Sequence, residues 1–286
     1  REFPDSSFAQ RADYHIAKLR NAAATPEESI AALKKIGPSE ANYLSARYDL
    51  CLLLHQQWQS ASKDPAQANA LLGELQAAVD VYLGAAKDAE PDRQLTCVLR
   101  VVDAALGSKP VQSDLAAEYL RRAEQLAARI TPDDPALAEY HYRQLQQAKQ
   151  TSDASARRTH AQWIVTHAAG SRFELPALVV VATALDAEVK SAGADQKLEK
   201  QTEAFDVYSR LSQSLGDTPQ ILETSKNARV ALSKRAQYAE QIGRTAEAAA
   251  ALRKLLAAFP KDRDYLRRTA LAEFRRIDDA EVARIE

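Results

Sequence analysis

Residues 229–262 read RVALSKRAQYAEQIGRTAEAAAALRKLLAAFPKD, and the fold is decided there. Two amphipathic segments flank Gly243, and small residues recur where two helices would have to approach closely: Ala236 in the first, Ala248 and Ala251 in the second. A glycine between them can adopt the left-handed backbone that closes a helix. Thr245 is placed to cap the next helix, and Pro260 ends it because proline lacks the N–H a continuing ladder needs. Punctuation and packing together predict a helical hairpin.

The positions of these residues resemble the tetratricopeptide repeat, a helix-turn-helix unit of about 34 residues. Counting from Arg229, Leu232 takes a large apolar position and Ala236 a small one. Gly243 takes the turn, Ala248 the small contact, Leu252 the large apolar contact and Pro260 the terminal proline. The stretch departs from the family at Arg235 (leucine there), at Ala239 (tyrosine there, with Tyr238 one residue early) and at Leu255 (alanine there). The resemblance implies an all-α, right-handed α-solenoid of antiparallel helix hairpins. The same reading is extended to residues 1–286 as one continuous array of about 13 helices, a fragment of a longer chain.

Composition agrees with such an array. At 286 residues the chain exceeds the usual single core, alanine is abundant, glycines (8) and prolines (11) are scarce, and only 6% of residues are aromatic. The charges nearly cancel at -1 with both signs interspersed, so nothing indicates nucleic acid or an anionic membrane as partner. Cys51 and Cys97 lie in apolar helical patterns and read as two buried thiols rather than a disulfide. The longest apolar run, Leu175 to Leu185 in ELPALVVVATAL, is far short of the roughly 20 residues of a membrane span and reads as a buried, central helix. No signal peptide is visible, yet the sequence opens at Arg1 without methionine, so an N-terminal segment is expected to have been cleaved or left out; cytoplasmic and exported locations both remain open.

Along the chain the same punctuation recurs. Phe8, Ala12, Ile16 and Leu19 place a first helix over Asp5–Ala24, and Thr25-Pro26 restarts a second that stops at Gly37-Pro38. Ser39, Asp64-Pro65, Glu90-Pro91, Ser113, Thr131-Pro132-Asp133-Asp134 and Asp153 open the helices that follow. Ser171 with Glu174 forms a capping-box pattern, Asp195 caps the next helix, and Thr218-Pro219 restarts the chain into the helix that holds the tetratricopeptide-like unit. Asp262 caps a last full helix, and Asp278 begins a short one. Hairpin starts near Pro26, Pro65, Ser113, Asp153, Asp195 and Pro219 are mostly about 40 residues apart, as in a mixed solenoid.

No chemistry-bearing motif is present: phosphate loops, dinucleotide glycines, nucleophile elbows, C-x-x-C and H-E-x-x-H are all absent from the sequence. His160, Trp163 and His167 share a helix face, but two imidazoles two turns apart lie about 10 Å apart along the axis, too far to share a metal. They read as a packed tryptophan with histidines at its edge. Glu27-Glu28, Asp133-Asp134 and Asp278-Asp279 read as first-turn carboxylates that complement the helix dipole, not as an acid-base pair. Arg267-Arg268 and Arg275-Arg276 form a candidate basic patch. Ser233 and Gln237 stand where the family's carboxylate clamp has lysine and asparagine, with Lys234 and Arg268 only partial substitutes, so chaperone-tail binding is not expected.

These readings predict a non-enzymatic scaffold, without metal or cofactor, that binds a protein or peptide on the concave face. The expected contacts are Ser233, Gln237, Glu240, Gln241 and Arg268, acting through amide hydrogen bonds with weak salt dependence. The alternative is a helical accessory domain of a larger enzyme, such as a cell-wall lytic enzyme.

Overall fold

A computed structural model describes residues 25–285, and every regular element among them is an α-helix. The helices are α1 (Pro26–Lys34), α2 (Tyr43–Ala61), α3 (Pro65–Ala86), α4 (Pro91–Gly107), α5 (Ser113–Ala127), α6 (Pro135–Gln150), α7 (Ala154–His167), α8 (Glu174–Ser191), α9 (Ala194–Leu215), α10 (Pro219–Thr224), α11 (Lys226–Gln241), α12 (Thr245–Ala258) and α13 (Arg263–Ile285). The helix expected over Asp5–Ala24 lies outside the described residues.

The chain divides into two compact units, one ending at Arg157 and the other beginning at Arg158. In the first, each helix from α1 to α6 packs on the next, and α2 also packs on α4 and α4 on α6. Contacts to the neighbour and to the next-but-one are the packing of a helical solenoid. Its core holds Leu54, Leu72, Leu75, Tyr82, Leu95, Leu99 and Tyr119, all nearly without solvent exposure. Cys51 and Cys97 are buried free thiols within it.

A buried polar ladder runs through the same unit. His55 Nε2 on α2 lies 2.9 Å from Asp103 Oδ2 on α4, and Arg143 on α6 forms an ion pair with Asp103 Oδ1 at 2.6 Å and donates to Glu139 Oε1 at 3.1 Å. Arg100 closes it with two bonds to Glu139, at 2.7 and 3.1 Å. Burial opposes ionisation of Asp103, yet the His55 bond and the charges of Arg143 and Arg100 outweigh it and hold that carboxyl below its ordinary value.

In the second unit, α8 packs on α9, α9 on α11, α11 on α12 and α12 on α13, while the short α10 sits against α11 and α12. Asp186 on α8 ties three helices: its carboxylate accepts from Tyr208 Oη of α9 at 3.0 Å and from Tyr238 Oη of α11, and pairs with Lys234 Nζ at 3.1 Å. Tyr238 is thus a buried strut, and Ala239 is fully buried beside it.

Several predicted boundaries move. Ser39 does not cap, since α2 begins at Tyr43 after a turn. Ser113, Asp195 and Thr245 lie inside the first turns of their helices, where Gln112, Gly193 and Arg244 take the cap position without a side-chain bond. The capping box at Ser171 does not form: Phe173 precedes the helix and Glu174 instead accepts from the Gly170 N–H. Ser225 interrupts the helix expected from Pro219, its hydroxyl accepting from Ala228 N at 3.2 Å, so α10 and α11 are separate. Asp278 starts nothing, because α13 runs unbroken past it. Helix α8 is not buried all round: Val179 is 45% exposed.

Candidate functional site

Residues 229–262 hold most of α11, a turn and α12. Gly243 adopts φ +75°, and the Arg244 N–H returns to the Ala239 carbonyl at 2.8 Å, which closes α11 as a left-handed glycine does. Ala236 and Ala248 are both buried, so the two helices approach over small side chains. Pro260 follows the end of α12 at Ala258, and Asp262 then caps α13 by accepting from Asp264 N at 2.9 Å and Tyr265 N at 3.2 Å.

Where α13 docks, a groove of about 310 Å³ remains, lined by Glu240, Thr245, Ala248, Arg267, Arg268 and Leu271, with Ala272 and Arg275 completing it. Ala248 and Ala272 are buried, while Arg267, Leu271 and Arg275 are exposed. Arg268 is committed within the protein: its Nε and Nη2 donate to the two oxygens of Glu240 at 3.3 and 2.9 Å, a bidentate pair between α13 and α11. Among the described residues Arg267 pairs only with Asp264, at 3.5 Å, and its side chain is 74% exposed. Arg275 has no ion-pair partner among the described residues.

Of the expected contacts, Glu240 and Arg268 come together, but as a pair spent on each other. Gln241 is exposed and its side-chain oxygen accepts from Gln201 Nε2 at 3.0 Å. Ser233 and Gln237 are half-buried on α11 and do not line the groove. Lys234 is engaged by Asp186. What the sequence reading missed is Leu271 between Arg267 and Arg275: at steps of four, all three fall on one face of α13, a spacing visible within the helix expected from Asp262.

A larger cavity of about 860 Å³ is lined by residues of α7, α8 and α9. Most of its charges are paired: Arg210 with Glu174, Arg158 with Glu188, and Lys200 with Glu203 at 2.9 Å, while Asp206 lies 4.0 Å from Arg244. The His160–Trp163–His167 face is structural in the way expected for two of its members, since His167 stacks on Trp163 at 4.8 Å and its Nδ1 lies 3.0 Å from the Trp163 carbonyl. Among the described residues no three metal-ligating side chains converge, and no helix is long and apolar enough to cross a membrane.

Element order and packing define an all-α, helical-repeat-like protein. No protein-family model matches the chain, and no curated protein matches it.

Proposed function

We propose that the chain is a tetratricopeptide-like, non-enzymatic scaffold that binds a peptide or protein segment in the groove between α11, α12 and α13. One observation carries the reading: the helices leave a half-open groove with a floor of buried alanines and a rim of exposed, loosely engaged side chains, Arg267, Leu271 and Arg275. Small residues admit a backbone closely, and exposed arginines with an aliphatic side chain are the groups that hold one.

The test is selection of short random peptides displayed on phage against the whole chain, followed by hydrogen exchange of the protein with a selected peptide. Protection confined to α11–α13, and lost in Leu271→Asp, is the expected result. Peptides whose binding ignores Leu271→Asp would place recognition elsewhere and overturn this site.

A further inference from the structure

The reading of this groove as a peptide site leaves the kind of peptide open, and the geometry of its rim narrows it. Arg267, Leu271 and Arg275 succeed one another at intervals of four on one continuous helix. At about 1.5 Å per residue, each step advances roughly 6 Å, and the face drifts by only about 40° per step. An extended peptide advances about 3.3 Å per residue, so its side chains at i, i+2 and i+4 share a face and recur every 6.6 Å or so. The two repeats match closely enough for three consecutive contacts.

Charge fixes what those contacts are. Three arginines line the groove against one glutamate, and that glutamate is held by Arg268 through two bonds. Arg267 and Arg275 keep most of their donors, because the first has a single long contact to Asp264 and the second has no ion-pair partner among the described residues. Between them Leu271, 52% exposed, stands beside the buried Ala272. We propose that the groove binds an acidic peptide in extended conformation, with carboxylates at i and i+4 on Arg267 and Arg275 and an aliphatic side chain at i+2 against Leu271. This rests on the scaffold reading above. A polyanion such as a nucleic acid is disfavoured, since the aliphatic centre is wasted on it and the exposed carboxylates of Asp264 and Asp278 flank the arginines on the same helix.

Fluorescence anisotropy with the whole chain tests it, using a labelled Glu-Ser-Leu-Ser-Glu peptide with glycine flanks. Its Gln-Ser-Leu-Ser-Gln counterpart and a Glu-Glu-Leu-Ser-Ser isomer serve as comparisons, and oligodeoxythymidylate as competitor. The spaced acidic peptide is expected to bind at least about tenfold more tightly than either comparison, to weaken steeply with salt, and to lose about tenfold in the Arg267→Ala, Arg275→Ala double variant. Both arginines are exposed, so the double variant should keep its circular dichroism and urea midpoint. Equal binding of the glutamine peptide, abolished by Leu271→Asp, would overturn the acidic class and leave the scaffold reading standing. Equal competition by oligodeoxythymidylate, or undiminished binding in the double variant, would overturn the proposed contacts. Absence of binding by every peptide, selected ones included, would remove both readings.

Discussion

Gly216 closes α9 at φ +85°, and a Cβ built there would lie 2.6 Å from Ile221 Cδ1. Two penalties therefore meet at one atom. The left-handed backbone disfavours any L side chain by about 1–2 kcal/mol, and the isoleucine must move from its place at the start of α10. Gly216→Ala is expected to lower the urea midpoint with an unchanged slope, the signature of a native-state penalty; an unchanged midpoint would mean the turn relaxes freely. At Ala248 the limit is space. It is 1% exposed on α12, and Ala236 of the neighbouring α11 is fully buried. Ala248→Leu should destabilise by about 1–3 kcal/mol through overpacking, read in the same melt. A neutral result would show that α11 and α12 do not meet through these alanines.

At the scale of elements, the buried ladder decides how α2, α4 and α6 respond to pH. Asp103 has a folded value depressed below its ordinary 3.8, so its contribution is fully present above that value and is lost as pH falls through the lower folded one. Arg143→Met removes the guanidinium that faces both Asp103 and Glu139, leaving His55 and Arg100 as partners. Breaking a buried pair from one side typically destabilises by about 3–5 kcal/mol. The variant should melt earlier at neutral pH, and its acid limb should begin at a higher pH, because Asp103 has lost part of what kept its proton off. An acid limb that coincides with the wild type would show that Arg143 does not hold Asp103 ionised. The ladder was illegible in the sequence, since His55, Asp103 and Arg143 lie on three helices and only packing brings them together. Helix starts were legible to different degrees for a definite reason. At Pro26, Pro65, Pro135 and Pro219, each in the first helical position, the preceding Thr25, Asp64, Asp134 or Thr218 caps as a side-chain acceptor, whereas at Pro91 the preceding Glu90, with a left-handed backbone, makes no cap bond. Without a proline there, Asp153 and Asp262 still cap, but at Ser39, Ser113, Ser171, Asp195 and Thr245 the boundary slides by one to a few residues. The groove shows the same division. Glu240 and Arg268, expected as partner contacts from their register, line the groove but pair with each other. The arginines of the Arg267–Leu271–Arg275 row were read as a basic patch, but Leu271 between them was passed over, although all three lie within the helix expected from Asp262.

For the molecule as a whole, the sequence pattern reads as one array, whereas contacts cluster into two units, each with its own buried core and its own polar tie. Each unit also carries one tryptophan: Trp58, nearly buried and stacked on His55 at 5.8 Å, and Trp163, half-buried and stacked on His167. Trp58 therefore touches the ladder that Arg143 completes, while Trp163 belongs to the unit that Asp186 ties together through Tyr208, Tyr238 and Lys234. In single-tryptophan proteins made by Trp163→Phe or Trp58→Phe, urea unfolding is then read one unit at a time. Arg143→Met should lower the Trp58 midpoint and leave the Trp163 midpoint in place. Asp186→Asn, which weakens charge-assisted bonds of about 1.5–3 kcal/mol each, should do the reverse. Perturbations at distant sites without shared partners act independently when the units unfold separately, and a stack whose neighbour interfaces dominate passes each perturbation to both reporters. Midpoints that shift together under either substitution would establish a single cooperative array, and midpoints that shift separately would establish two folding units within one chain.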